Sequence, residues 1–189
     1  MQRVVTALLG LSVMLWAGVA AADKFDDTIA LFKNAGESAS FFSKSYGYAV
    51  FPTIGKGGLG VGGAYGEGRV YRKGAYVGDA KVTQLSVGFQ AGGQAYSQIV
   101  FFEDKRAFDE FTKGNFEFGA DVGAVAITAA AGAKAGTTGA AASASGGEKD
   151  AATAGKYHKG MAVFVIVKGG AMYEASVGGQ KFSYKPRGA

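Results

Sequence analysis

Cysteine is absent from all 189 residues, histidine and tryptophan occur once each, and proline occurs twice. Without cysteine there is no disulfide framework and no thiolate metal site, so stability has to come from a packed core. A chain of this length is one ordinary domain and is long enough to build such a core. The single histidine, His158, leaves no histidine-based metal site, and any Ser–His–Asp or Cys–His relay would have to pass through it. No serine lies in a G-x-S-x-G context, and His158 reads as a solvated surface residue between Tyr157 and Lys159. Lys and Arg never form a run longer than a pair, and the net charge of +5, or +4 without Arg3, is scattered. That pattern gives nucleic-acid binding weak support, so no nucleic-acid partner is expected, and it suits a mild preference for anionic membrane surfaces.

Long apolar runs are missing after residue 19. The one before it, Val4 to Val19, follows Arg3 and precedes Ala20-Ala21-Ala22. This is the layout of a cleavable signal peptide, residues 1–22, with the mature chain starting at Asp23. No cysteine follows the cleavage point, so no lipid can be attached there. The expectation is a bacterial periplasmic protein, at most peripheral to the outer or inner membrane.

Glycine is the residue in excess, 32 in all. In Tyr46–Tyr71 it falls into register. Leu59, Val61, Tyr65, Glu67, Arg69 and Tyr71 share one parity, and Gly58, Gly60, Gly62, Ala64, Gly66 and Gly68 share the other. Side chains alternate across a strand, so one face of this segment is almost bare backbone. Glycine weakens a strand unless something approaches closely: another layer of the protein, or a ligand or lipid. Gly58-x-Gly60-x-x-Gly63 spells a dinucleotide fingerprint, but it lies inside a β segment where the fingerprint needs a strand before and a helix after.

Around this stretch the periodicity predicts a helix from Asp23 to about Ala35, with Phe25, Ile29 and Phe32 on one stripe, then a short helix or turn over Ser38–Ser45. A strand Tyr48–Phe51 ends at Pro52, and Gly55-Lys56-Gly57-Gly58 turns the chain. Arg72-Lys73-Gly74 is a hairpin loop. Ala75–Val77, Lys81–Leu85 and Ser86–Phe102 are extended, the last with Gln90, Gln94 and Gln98 on a polar face. A helix spans Glu103–Lys113, capped by Asp104 and stopped by Gly114. Phe116–Ala130 returns to β character, and residues 131–155, rich in Ala, Gly and Ser, read as a flexible loop. Met161–Val167, Ala171–Val177 and Gln180–Tyr184 are strands. The fold class is α+β: a mostly antiparallel, β-rich body of about six to eight strands, sandwich or barrel-like, with an N-terminal and a mid-chain helix. An outer-membrane barrel fits less well, because a long strand carries glycine in place of a bulky lipid-facing band.

Gly47-Tyr48-Ala49-Val50-Phe51-Pro52, Lys56-Gly57-Gly58-Leu59-Gly60-Val61-Gly62-Gly63 and Gly66-Glu67-Gly68-Arg69-Val70 resemble the core motif of SYLF domains. Gly88-Phe89-Gln90-Ala91-Gly92-Gly93, the stretch Phe101–Phe111 and Phe118-Gly119-Ala120-Asp121 fit the same pattern, so the resemblance covers about Ala39 to Tyr184. It implies one domain over 23–189 that binds lipid. Eukaryotic members look like binders of phosphoinositides and in some cases of actin, neither of which an exported bacterial protein meets, so the lipid class carries over and the particular lipid does not. The resemblance brings no catalytic residues, and no cofactor or metal is implied.

The expected partner is a phospholipid or an anionic membrane surface. Lys56, Arg69, Arg72, Lys73 and Lys81, interleaved with tyrosines, are the candidate head-group contacts, and Phe25, Ile29 and Phe32 the candidate apolar contacts. The alternatives are an envelope structural module with a protein partner, and a hydrolase using Glu67, Glu117 and Asp121 as paired carboxylates.

Overall fold

A computed structural model of the chain describes residues 19–127, 156–169 and 177–188. Its frame is a single hairpin. β1 (Gly47–Arg72) and β2 (Ala75–Phe102) run antiparallel for 26 and 28 residues, where strands are usually about 5–6 residues long. Lys73 and Gly74 join them, with φ of 49° and 82°, the mirror-image turn whose twist matches that of the flanking strands.

Strands of this length coil, and here the ladder slips at three points, between Phe51 and Ile54, Leu59 and Val61, and Val70 and Tyr71. Such irregularities bend a sheet, and the second half of β1 comes to lie face to face with the first. The early part of β2 pairs with β6 (Lys181–Pro186), which pairs with β3 (Asn115–Glu117). The late part of β2 pairs with β5 (Met161–Gly169), which pairs in parallel with β4 (Val125–Ile127). The architecture is α+β and, apart from that one parallel pair, antiparallel among the described strands.

The main core lies between the two sheet halves. Ala49, Phe51, Ile54 and Val100 come from one side, and Val70, Val82 and Phe182 from the other. Helix α4 (Lys105–Thr112) packs Phe108 and Phe111 against Phe102, with ring centroids 5.7 and 4.8 Å apart. As the sequence predicts, Asp104 caps α4 by accepting the Ala107 N–H at 2.8 Å. A second apolar cluster, including Tyr48, Val50, Phe101 and Phe164, covers the opposite face of the first half. It is closed by α1 (Val19–Asn34) and the single-turn helices α2 (Gly36–Ala39) and α3 (Phe41–Lys44). The layers are therefore helices, inner sheet half, outer sheet half, and then solvent.

Several expectations change. Pro52 does not end a strand, and Gly55–Gly58 is not a turn, since both lie within β1. Within the described topology β1 is bonded on one side only, to β2, so the missing N–H of Pro52 costs no ladder bond, and Pro52 also sits at a register shift. The three extended pieces after residue 75 are one strand. Gln98 is not on a solvent face but fully buried. The β character expected from Phe116 onward is confined to β3 and β4 among the described residues. Helix α1 starts at Val19 and so runs across the predicted cleavage point. Residues 1–18, the 131–155 segment and most of the expected Ala171–Val177 strand lie outside the described residues.

Candidate functional site

The glycine face is packed inside. A Cβ on Gly66 would lie 2.7 Å from Ile54 Cγ1 and 2.9 Å from the Thr53 carbonyl oxygen, and one on Gly68 2.5 Å from the Phe51 ring and 2.7 Å from the Val50 carbonyl oxygen. These contacts join the two halves of β1 with no room for side chains between them. The bare face seen in the sequence is therefore the seam of the fold and is closed to ligands along Gly66–Gly68.

The opposite parity forms the outer face. Tyr65, Glu67 and Arg69 of β1 stand beside Thr83, Lys81 and Asp79 of β2, with Val61 further along β1 and Leu85 opposite Gly63. Leu85 is 84% exposed, Val61 65% and Tyr65 50%. Three neighbouring large apolar side chains left open in this way form a patch of the kind that marks a contact surface. Polar groups border it. The Tyr65 hydroxyl donates to Glu67 at 2.8 Å, which raises the pKa of the phenol, and Lys81 Nζ lies 3.6 Å from the same carboxylate.

A cavity of about 440 Å³ opens further along this face, lined by Phe25, Arg69, Lys81, Tyr184 and Lys185 and by the carboxylates of Glu67 and Asp79, among others. The Arg69 guanidinium lies 4.1 Å from the Phe25 ring centre and 4.9 Å from that of Tyr76, an arrangement that holds the cation by its apolar surfaces. Of the basic residues read from the sequence, the fold brings together Arg69 and Lys81. Arg72 and Lys73 stand at the hairpin turn, Lys73 at 5.8 Å from the centre of the Tyr46 ring. Lys56 is near the bend of β1, opposite Gln94 and away from the turn.

The helix stripe needs correction as a lipid contact. Ile29 and Phe32 are buried in the cluster under the helices, so neither meets a bilayer in this fold. Phe25 is half-buried and reaches the cavity through Arg69. The carboxylates proposed as a pair are held apart. Strands β6 and β2 lie between Glu117 and Glu67, a separation of roughly 14 Å at ordinary strand spacing. Each has its own basic partner: Lys81 for Glu67, Lys181 for Glu117 at 3.8 Å, and His158 and Lys159 for Asp121 at 2.8 and 3.1 Å.

The last of these was missed. His158 does not stand alone but bonds Asp121 from a loop 37 residues away, and this bond, with that from Lys159, lowers the Asp121 pKa to about 2. A cavity of about 180 Å³ lies beside the pair. Lys185 and the Leu85 patch were missed too. Leu85 carries a local signal, as an apolar residue at an outward position of β2, whereas Lys185 joins Arg69 only through the β2–β6 pairing.

Comparison with known proteins adds the family. Residues 83–186, more than half of the chain, match the family model described as Ysc84, Las17-binding protein actin regulator. The chain belongs to the Ysc84 (SYLF) family. It is also 30% identical over 155 residues to Beta cell expansion factor A of Aeromonas veronii, an alignment that covers 82% of this chain and 51% of that protein. The chain thus spans about half the length of the curated relative it matches. The SYLF model match begins at Thr83, after the glycine stretch, but the alignment with the Aeromonas protein is long enough to include it. Among the described residues no helix is long and apolar enough to cross a membrane.

Proposed function

We propose that this SYLF protein is an exported, lipid-binding domain of the bacterial cell envelope that docks on anionic phospholipid surfaces with the outer face of its β1–β2 hairpin. The observation that carries this reading is the exposed patch of Leu85, Val61 and Tyr65 beside a cavity in which Arg69, Lys81 and Lys185 outnumber Glu67 and Asp79. Apolar side chains enter the interfacial region of a bilayer while neighbouring lysines and arginines meet phosphate, each basic residue near the surface adding about 1 kcal/mol. The contact is thereby moved from the helix stripe to the sheet.

Flotation of the mature chain with vesicles of phosphatidylcholine, with and without phosphatidylglycerol, tests it. Association is expected with the anionic vesicles and should fall about tenfold or more in Leu85→Asp, which places a charge where apolar surface would enter the membrane. Binding to neither vesicle type would defeat the reading. The export part predicts that the secreted protein has the intact mass of a chain beginning at Asp23. A product retaining residues 1–22 would contradict it.

A second reading, an envelope module that binds another protein, is favoured by β1, which within the described topology is bonded on one side only. An unpaired edge is a template for a partner's strand. A reproducible periplasmic cross-link through β1, in a sample free of co-purified lipid, would favour it over the first.

A further inference from the structure

The bend of β1 carries a basic feature apart from Arg69 and Lys81. Lys56 of β1 and Lys168 of β5 line one shallow hollow of about 460 Å³, together with Gly55, Gly93 and Gln94. The Lys168 amine donates to Thr53 Oγ1 at 3.3 Å, which ties it to the irregular part of the strand. Burial and the like charge of Lys24, on α1, lower its pKa. No acidic residue lines the hollow, and none of the described ion pairs uses Lys24, Lys56 or Lys168. Glu67 and Glu117 on the sheet and Asp104, Asp109 and Glu110 at α4 pair with other basic residues, and Asp79 accepts from the Tyr76 hydroxyl.

Two amines from separate strands line the hollow, with the like charge of Lys24 felt at Lys168, and like charges so placed repel unless an anion stands among them. The hollow has the room. A Cβ on Gly55 would meet nothing within 4 Å, and one on Gly93 only the Lys56 carbonyl oxygen at 3.9 Å. These glycines are therefore not required by packing, unlike Gly66 and Gly68, and they leave the floor of the hollow as open backbone.

We propose that this hollow is an anion site for a phosphate group, held by Lys56 and Lys168 with Lys24 adding charge from α1. A free phosphate carries close to two negative charges, and a phosphodiester head group carries one spread over two non-bridging oxygens, so either gives two amines an acceptor apiece. The phosphate belongs either to a free anion or to a lipid head group. In the second case the site rests on the membrane reading above and extends its contact from the outer face to the bend.

Two measurements on the full mature chain and its Lys56→Gln/Lys168→Gln variant decide it: thermal unfolding in phosphate against chloride at equal ionic strength, and flotation with phosphatidylglycerol vesicles. A phosphate-dependent rise in Tm that the variant loses identifies a free-anion site. No such rise, with flotation about tenfold weaker in the variant, identifies a head-group site. Wild type and variant alike in both measurements would overturn the proposal. Leu85→Asp separates the two ideas, since it should weaken flotation about tenfold or more and leave any phosphate shift intact. Lys24→Gln, expected to give a smaller loss, serves if the double variant folds poorly, and Lys168→Arg should restore binding.

Discussion

Gly68→Val is expected to destabilise the protein by about 3 kcal/mol or more, while Gly63→Ala, on the same strand, should leave stability unchanged or raise it by about 0.5 kcal/mol. The two positions differ in what stands over them. At Gly68 a Cβ would meet the Phe51 ring at 2.5 Å and the Val50 carbonyl oxygen at 2.7 Å. The ring has some freedom to turn, but the carbonyl belongs to β1 itself and is fixed by the ladder with β2. The sheet halves would have to separate, and their separation would loosen the core between Phe51 and Phe182, whose ring centroids are 5.7 Å apart. At Gly63 the nearest atom to a Cβ is the Gln84 carbonyl oxygen at 3.6 Å, an ordinary contact, and the side chain would point outward. Urea denaturation of the two variants beside wild type measures both effects. Equal stability of Gly68→Val and wild type would mean that the two halves of β1 do not pack in this way.

The glycine alternation was legible in the sequence because it is local: parity alone separates the bare face from the clothed one. What the bare face packs against was not legible, since the answer is another part of the same strand. Local stop signals misled for the same reason. Pro52 and Gly55–Gly58 punctuate most chains, yet here β2 continues opposite them and register shifts absorb the irregularity. The stripe of Phe25, Ile29 and Phe32 was readable as one face of a helix, but periodicity does not say whether that face meets a core or a membrane. In the fold, Ile29 and Phe32 belong to the core. Basic residues were visible one by one, and only strand pairing assembles Arg69 with Lys185 or Lys56 with Lys168. The His158–Asp121 bond has the same character, two ordinary surface residues joined by topology.

Gln98 and Gln180 show most clearly what alternation conceals. Both are fully buried, and their amides exchange two hydrogen bonds, Gln98 Nε2 to Gln180 Oε1 at 2.8 Å and Gln180 Nε2 to Gln98 Oε1 at 3.1 Å. Gln180 also donates to the Tyr96 hydroxyl at 3.2 Å, in a setting where burial pushes that phenol up to about 12. A second glutamine of β2, Gln84, donates to the Gly178 carbonyl oxygen at 2.9 Å. The turn before β6 is thus held by side chains from both halves of β2 and links the inner and outer layers. Replacing Gln98 with Leu leaves the Gln180 amide oxygen unpaired, its nitrogen keeping only the Tyr96 hydroxyl, and replacing Gln180 with Leu leaves the whole Gln98 amide buried without this partner, at a cost of about 3 kcal/mol each. Replacing both removes the two orphaned amides, leaves only the Tyr96 hydroxyl without its Gln180 donor, and should cost less than the sum, a coupling of about 2 kcal/mol between the sites. A double-mutant cycle in urea measures it, and additive losses would show that the amides do not act as a pair. Flotation of the same variants then links the core to function. If the outer layer bearing Leu85 and Arg69 is positioned through this turn, each single variant should lose membrane association in step with its stability, and the double variant should lose less of both than the sum of the single losses.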